Sequence, residues 1–200
     1  MTRIPFLALA LVGLCFPAGG ARADGFLDAW HPHQSFWSVG WEVGIPVNGL
    51  RADWVNRTSP AGGQFEVRVG LMERLSVGIA GNYNWFDQNF STVTGSVYRR
   101  FSAFALRGTA HYYLTSSALQ PFVGVGVGCI WTATRRQTAD LTQDAYSSYL
   151  AVDPEVGFLL STSDSFALYV LGRYQWTAAS FYEVKDAQWV GVQIGLGWFF

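Results

Sequence analysis

Charge, lysine and cysteine are all scarce in this 200-residue sequence. Charged residues make up 14% of the chain, the formal net charge is −1, and there are two cysteines. Lys185 is the only lysine among the 13 basic residues. The low charge and the 16% aromatic content exclude a disordered chain. A nucleic-acid binder that relies on bulk positive charge and a disulfide-stabilised scaffold are excluded as well.

The N-terminus has the pattern of an export signal. Arg3 is followed by an apolar run over residues 4–16, and Ala21-Arg22-Ala23 gives the small-x-small pattern of a cleavage site. We therefore predict a signal peptide over residues 1–23 and a short periplasmic segment over residues 24–34. The mature chain retains Cys129 as its one cysteine, so it cannot form an intramolecular disulfide.

Beyond residue 25 the sequence lacks any apolar run of the length of a transmembrane helix. Apolar residues instead alternate with small or polar ones in eight segments, the period of a β-strand. The fifth segment is the plainest, because Val123, Val125 and Val127 alternate with glycines. The sequence predicts an all-β protein with eight strands.

The predicted connections alternate in length. Short turns are expected near residues 73–74, 115–120 and 161–164, and long loops near residues 47–63, 87–100, 132–147 and 177–187. In an antiparallel up-and-down barrel, this order puts all short turns at one end and all long loops at the other.

The chemistry of the two strand faces distinguishes a soluble barrel from a membrane barrel. A soluble lipocalin-type barrel needs a polar outer face, yet the second face here consists mostly of Gly, Ala, Ser and Asn. A barrel with its apolar face toward lipid fits better, since an exported chain without a spanning helix can cross a bilayer only as a closed barrel. Aromatic residues near the strand ends are predicted to form interfacial girdles: Trp37, Trp85, Tyr112, Trp131, Trp176 and Trp198.

The C-terminal strand VGVQIGLGWFF carries a family resemblance, and the segments PFVGVGVG and PEVGF support it. Over residues 35–200 the chain resembles the small eight-stranded outer-membrane barrels of Gram-negative bacteria, of the OmpA and OmpX type. The resemblance implies an outer-membrane location. It also implies that Gly195, Trp198 and Phe200 belong to the signal read by the barrel-assembly machinery. We expect no cell-wall-binding domain after Phe200.

Seven charged residues are predicted to point into the barrel at mid-height: Glu42, Glu66, Arg68, Arg107, Asp153, Glu155 and Arg173. The interior of an eight-stranded barrel is only wide enough to be filled by side chains. Four acids and three bases in that space must pair, because an isolated buried charge costs several kcal/mol. The first hypothesis is an ion-pair network that plugs the barrel, and the alternative is a gated narrow path for ions or small solutes.

Other candidate sites have weaker patterns. His33 and Ser35 have the spacing of a lipid A-modifying His–Ser pair but lie at the first strand, and His111 is expected to make a structural hydrogen bond. His31, His33 and Asp28 form only a loose cluster, so no metal, cofactor or enzyme activity is expected. Arg99-Arg100 and Arg135-Arg136 either contact lipopolysaccharide phosphates or are ordinary loop charges. The expected partners are outer-membrane lipid, lipopolysaccharide and the assembly machinery, without nucleic acid and with no ligand identified for the loops.

Overall fold

Segments of alternating polarity form most of each strand in the described part of the chain. The structure, a computed structural model, describes residues 34–93, 95–177 and 187–200. Its strands are β1 (Ser35–Val47), β2 (Ser59–Met72), β3 (Leu75–Thr92), β4 (Gly95–Tyr113), β5 (Leu119–Gln137), β6 (Thr142–Ser163), β7 (Phe166–Thr177) and β8 (Ala187–Phe199). Each strand pairs antiparallel with the next, and β8 pairs with β1 to close the barrel. The predicted fold is confirmed.

Two of the sequence predictions lie outside the described residues. These are the signal peptide and the periplasmic segment up to residue 33, which includes Asp28, His31 and His33. Most of the last predicted long loop, residues 178–186, lies outside them too. In the part of the chain that the structure describes, no helix is long and apolar enough to span a membrane.

The short turns all lie at one end of the barrel, as predicted. They connect β2 to β3, β4 to β5 and β6 to β7, and we call this end the turn end and the opposite one the mouth. The first residue of β1 also lies at the turn end, where the amide N–H of Ser35 donates to the carbonyl oxygen of Phe200 at 3.0 Å.

Two of the predicted long loops are wrong. Residues 87–100 and 132–147 consist mostly of strand, because β3 continues to Thr92 and β5 to Gln137. The last β2–β3 pair is Gly63 with Tyr83, and β3 to β6 continue beyond the end of β2. We call residues 87–92, 95–100, 135–137 and 142–144 the sheet extension. Its alternation of polarity is weak because the sheet rises beyond its barrel neighbours, so no contrast between a buried and a wet face marks it in the sequence.

The predicted loop at residues 47–63 is also shorter than expected, because β2 begins at Ser59. Its first part forms a π-helical turn over Leu50–Trp54. Leu50, Trp54 and Val55 are buried, so this connection folds into the mouth of the barrel.

Candidate functional site in the barrel interior

The seven charged residues predicted to point inward all lie inside the barrel. Each is at most 5% exposed, and together they form a layer at mid-height that we call the ionic layer: Glu42, Glu66, Arg68, Arg107, Asp153, Glu155 and Arg173. They project from β1, β2, β4, β6 and β7. Because side chains two residues apart on a strand share a face, pairs such as Glu66 and Arg68 point into the same space.

Glu66 and Arg68 make the first contact of the ionic layer. Nη2 of Arg68 donates to Oε2 of Glu66 at 2.5 Å, and its Nη1 donates to the Tyr113 hydroxyl at 3.1 Å. The Arg68 guanidinium also lies 5.6 Å and 5.4 Å from the ring centroids of Phe36 and Phe122. The Arg68 guanidinium therefore contacts one carboxylate, one phenol and two aromatic rings.

Arg107 and Asp153 form the second pair, with Gln175 as a shared partner. Arg107 donates to the Asp153 carboxylate, and its Nη1 also donates to Oε1 of Gln175 at 3.1 Å. Nε2 of Gln175 donates to the other oxygen of Asp153. The three side chains close a triangle in which each contacts the other two.

Arg173 lies between two carboxylates. Its Nε is 3.8 Å from Oε2 of Glu42 and 3.8 Å from Oε1 of Glu155. Glu42 in turn accepts hydrogen bonds from the amides of Asn82 and Asn84, at 3.2 Å and 2.6 Å. Arg173 therefore joins the acids of β1 and β6 across the barrel.

His111 belongs to the same layer, although the sequence suggested only a structural hydrogen bond for it. Its Nε2 is 2.7 Å from Oε2 of Glu155, and its Nδ1 is 3.9 Å from Oε1 of Glu66. Four carboxylates therefore face three guanidinium groups and one imidazole in the ionic layer. The alternation of β4 identifies His111 as inward, but not the acids that it contacts.

The glycines of β5 make these contacts possible. His111 pairs with Gly124 in the sheet, and Gly124 pairs with Glu155, so the imidazole crosses β5 to reach β6. A Cβ atom at Gly124 would lie 2.4 Å from Cδ2 of His111. One at Gly126 would lie 3.3 Å from Cδ of Arg107, which crosses the same strand toward Asp153.

Apolar side chains close the barrel on both sides of the ionic layer. The mouth cluster includes Leu50, Trp54, Phe86, Phe101 and Trp189, and the ring centroids of Phe86 and Phe101 lie 5.8 Å and 5.9 Å from that of Trp189. The turn-end cluster includes Phe36, Tyr113, Phe122, Leu159 and Tyr169.

Both apolar clusters are absent from the sequence predictions. The strand residues of both clusters occupy the inward-pointing positions of the alternation, and this pattern could have revealed the clusters. Trp54, in contrast, lies in a connection without periodicity, so no sequence pattern marked it.

The three residues of the predicted assembly signal lie on β8 and at its end. Trp198 stacks on Trp37 with 4.3 Å between ring centroids, and it meets the Phe166 ring edge-on at 5.5 Å. Gly195 faces the Tyr169 ring, and the Phe200 N–H donates to the Ser35 carbonyl oxygen at 2.9 Å. All three therefore contribute to the β1–β8 closure, while their part in assembly stays a prediction.

Three solved structures of bacterial outer-membrane proteins are similar to this one. Ail of Yersinia pestis has a TM-score of 0.56 at 12% identity, covering 84% of this chain and 99% of that chain. Neisserial surface protein A has a TM-score of 0.56 at 11% identity, covering 84% and 96%. OprG of Pseudomonas aeruginosa has a TM-score of 0.53 at 14% identity, covering 86% and 98%. No protein-family model and no curated protein matches the sequence.

These similarities concern the fold. They confirm the predicted transmembrane β-barrel and the predicted resemblance to small outer-membrane barrels, and the outer-membrane location of all three proteins agrees with the predicted location. Function does not follow from a shared barrel, because one fold hosts many functions.

Proposed function

We propose, from the premise that this chain has the fold of the small outer-membrane β-barrels, that it is a plugged barrel with a structural and surface-interaction role. The observation that carries the proposal is the filled interior. The ionic layer lies between two apolar clusters, so three successive layers of side chains occupy the barrel from the mouth to the turn end.

The outer surface supports insertion in a bilayer. Valine, leucine and isoleucine cover the outward face, and Phe166 beside Trp198 marks one edge of this band on β7 while Trp176 marks the other. The ten-residue step from Phe166 to Trp176 spans roughly 33 Å along the strand. A strand tilt of about 40° reduces this length to a height of about 25 Å across the membrane. This is close to the ~25 Å apolar band of outer-membrane barrels.

The pairing inside the ionic layer favours a plug over a channel. An ion would have to pass Trp189 and Phe101 at the mouth and then separate Arg107 from Asp153, which are both buried. Separating this pair would leave two buried charges without a partner, so spontaneous opening is rare. A narrow channel remains the second candidate, and it predicts that weakening the network increases conductance.

Recordings in planar bilayers test the proposal. We expect no conductance steps from the refolded protein, whose insertion is checked separately by the gel mobility of boiled and unboiled samples. Arg107→Ala is the informative variant, because a gate that depends on the Arg107–Asp153 pair would open. Steady conductance of the unmodified protein would contradict the plug, and silence of both proteins would contradict the gated channel.

We propose no enzymatic role for this barrel. His111 is fully buried and contacts two carboxylates, so it has no access to a lipid acyl chain at the barrel surface. A lipid A hydrolase also requires a hydroxyl nucleophile within hydrogen-bond reach of its base. Unchanged lipid A masses in cells that express the protein are the expected result, and a shift by one acyl chain would contradict it.

Outer-membrane lipid and lipopolysaccharide are the proposed surroundings, and the assembly machinery is the proposed partner during insertion. The aromatic cluster of Trp37, Phe166 and Trp198 supports the first, because indole rings prefer the interface of a membrane. The aromatic C-terminus supports the second. Replacing Phe200 with Ser is expected to lower the amount of folded barrel in cells without changing refolding of the purified chain.

A further inference from the structure

Pairing between β6 and β7 is interrupted inside the barrel wall. Val152 pairs with Trp176 and Glu155 pairs with Arg173, but the two positions between these pairs are not joined. The register is the same on both sides of the gap, so neither strand contains an inserted residue there. The other internal interruptions of pairing among the described strands each accompany a shift of register. This gap therefore has a different cause from a β-bulge.

A proline in β6 explains the gap. By the shared register, Pro154 is opposite Tyr174, and a proline has no backbone N–H to donate. The N–H position of a strand residue points to one neighbouring strand only. On the β5 side, Pro154 pairs with Val125 within a continuous ladder, so the missing donor is on the β7 side. The Tyr174 carbonyl oxygen therefore lacks the donor that a backbone ladder supplies elsewhere.

The gap lies within the apolar band of the outer surface. Trp176 marks the mouth-side edge of that band on β7, and Tyr174 is two residues farther from the mouth. Two residues correspond to roughly 7 Å along a strand and to about 5 Å of height at a tilt of about 40°. Hydrocarbon offers no donor in place of the missing one, so an unsatisfied carbonyl is costly at this depth. A costly backbone feature of this kind points to a functional role.

Side chains join the two strands at the gap in place of the backbone. Asp153 and Gln175 are opposite each other on the inner face, and Nε2 of Gln175 donates to the Asp153 carboxylate. Nη1 of Arg107 donates to Oε1 of the same glutamine at 3.1 Å. These contacts depend on rotatable side chains, so they restrain the two strands less than a backbone ladder does.

Within the ranges that the structure describes, only two pairs hold β6 to β7 on the mouth side of the gap. They are Val152 with Trp176, and Ala151 with Thr177, the last residue of β7. The opposite edge of β7 stays paired with β8 up to Gln175. Segments with few backbone hydrogen bonds open locally at a low cost in free energy. β6 and β7 can therefore separate at this end while β7 stays attached to β8.

We propose that the barrel wall opens laterally between residues 151–154 of β6 and residues 174–177 of β7, which we call the seam. This opening is distinct from the axial path, which the layers of side chains close. It gives water from the lipid headgroup region a lateral route to Asp153, the residue of the ionic layer that precedes Pro154. The seam is a conformational device in the wall of a plugged barrel.

Hydrogen–deuterium exchange followed by NMR tests the seam in the full chain refolded into phosphatidylcholine nanodiscs. Gly172, Tyr174 and Trp176 are at alternate positions of β7, so their amides face the same neighbouring strand. Gly172 pairs with Val156 on the far side of the gap and is the internal reference. We expect the Tyr174 and Trp176 amides to exchange at least about tenfold faster than the Gly172 amide. Equal rates at Tyr174 and Gly172 would overturn the proposal.

Restoring the missing donor is the informative substitution. Pro154→Val is expected to slow exchange of the Tyr174 amide about tenfold, the effect of one backbone hydrogen bond. Pro121→Val is the matched control, because Pro121 lies near the turn end of β5 in an uninterrupted ladder with β6. We expect the control to change the Tyr174 rate by less than about twofold, because the two sites are independent. An unchanged rate in folded Pro154→Val, or an equal effect of both substitutions, would contradict the seam.

A reversible cross-link gives a second measurement, which does not depend on the folding of Pro154→Val. Ala151→Cys with Thr177→Cys, in a Cys129→Ser background, places two thiols at opposed positions on the mouth side of the gap. Opposed residues of an antiparallel pair are close enough for a disulfide. Oxidation is expected to slow exchange of the Tyr174 amide and reduction to restore it, so equal rates in both states would overturn the proposal. Bilayer recordings test the plug separately, because conductance reports the axial path.

Discussion

Replacing Arg107 alone, and then Arg107 together with Asp153, tests whether each charge of this buried pair needs the other. Arg107→Met leaves the Asp153 carboxylate buried with Gln175 as its remaining donor. Removing one partner of a buried ion pair costs about 3–5 kcal/mol, because the other charge stays uncompensated. Arg107→Met with Asp153→Leu removes both charges and fills similar volume.

We expect the double variant to be more stable than the single one. It still leaves the Gln175 amide without the two contacts it makes to Arg107 and Asp153, at a cost of about 1–3 kcal/mol. The double variant should thus regain roughly 2 kcal/mol of unfolding free energy relative to Arg107→Met. The assay is urea unfolding from lipid vesicles, followed by tryptophan fluorescence.

An exposed pair of the same residue types is the control. Arg135 and Asp144 pair across the neighbouring strands β5 and β6, and their side chains are 48% and 33% exposed. Arg135→Met is therefore expected to cost at most about 1 kcal/mol. If the double variant at Arg107 and Asp153 were as unstable as Arg107→Met, the cost would come from lost packing and not from an unpaired charge, and the reasoning would be refuted.

Three further predictions concern the mouth cluster, the glycines of β5 and the pair of Arg135 and Asp144. Trp189→Ala should lower the unfolding free energy by about 3–5 kcal/mol, while bilayer recordings stay silent because the ionic layer below remains closed. New conductance would show that the mouth cluster alone seals the barrel. Gly124→Ala should destabilise the barrel by about 1–3 kcal/mol, because its Cβ atom would clash with His111. Gly108→Ala is the control, because a Cβ atom at Gly108 would have no neighbour closer than 3.9 Å. An equal urea midpoint for both variants would contradict the contact of His111 across β5. The hydrogen bonds from Arg135 lower the pKa of the Asp144 carboxyl below its ordinary value of 3.8. The stabilisation by this pair is therefore complete above the pKa of the unfolded state and is lost as the pH falls through the lower pKa of the folded state. Carbon NMR titration should show this pKa rising in Arg135→Gln, and an unchanged value would contradict the pair.

The sequence predicts the barrel well because each strand has one face in lipid and one in a narrow interior. This contrast is strong in β5 and β8, where valine, leucine or isoleucine alternates with glycine. It also identifies the seven inward charges by parity alone. Where the contrast weakens, prediction fails. The sheet extension rises beyond its neighbours in the barrel wall, and the π-helical turn at Leu50–Trp54 is too short to show a period.

Two contacts within the ionic layer could not be predicted because their residues are not neighbours in the sheet. Arg107 on β4 contacts Asp153 on β6, and Arg173 on β7 contacts Glu42 on β1, two strands away. The alternation along a strand predicts which face a side chain occupies. It does not predict how far the side chain reaches, because that depends on the size of the residues between it and its partner.

The glycines of β5 decide that distance for His111 and Arg107. With Gly124 and Gly126 on the inner face, β5 adds no side chain between β4 and β6, and a longer neighbour can lie across it. A row of small residues beside long charged ones is therefore a signal for a contact that skips a strand. The same rule applies to Glu42 and Arg173, because a Cβ atom at Gly191 would lie 2.6 Å from Oε1 of Glu42 and 3.2 Å from Cγ of Arg173. These glycines give the long charged side chains open space over an adjacent strand, at the cost of buried apolar area on that strand.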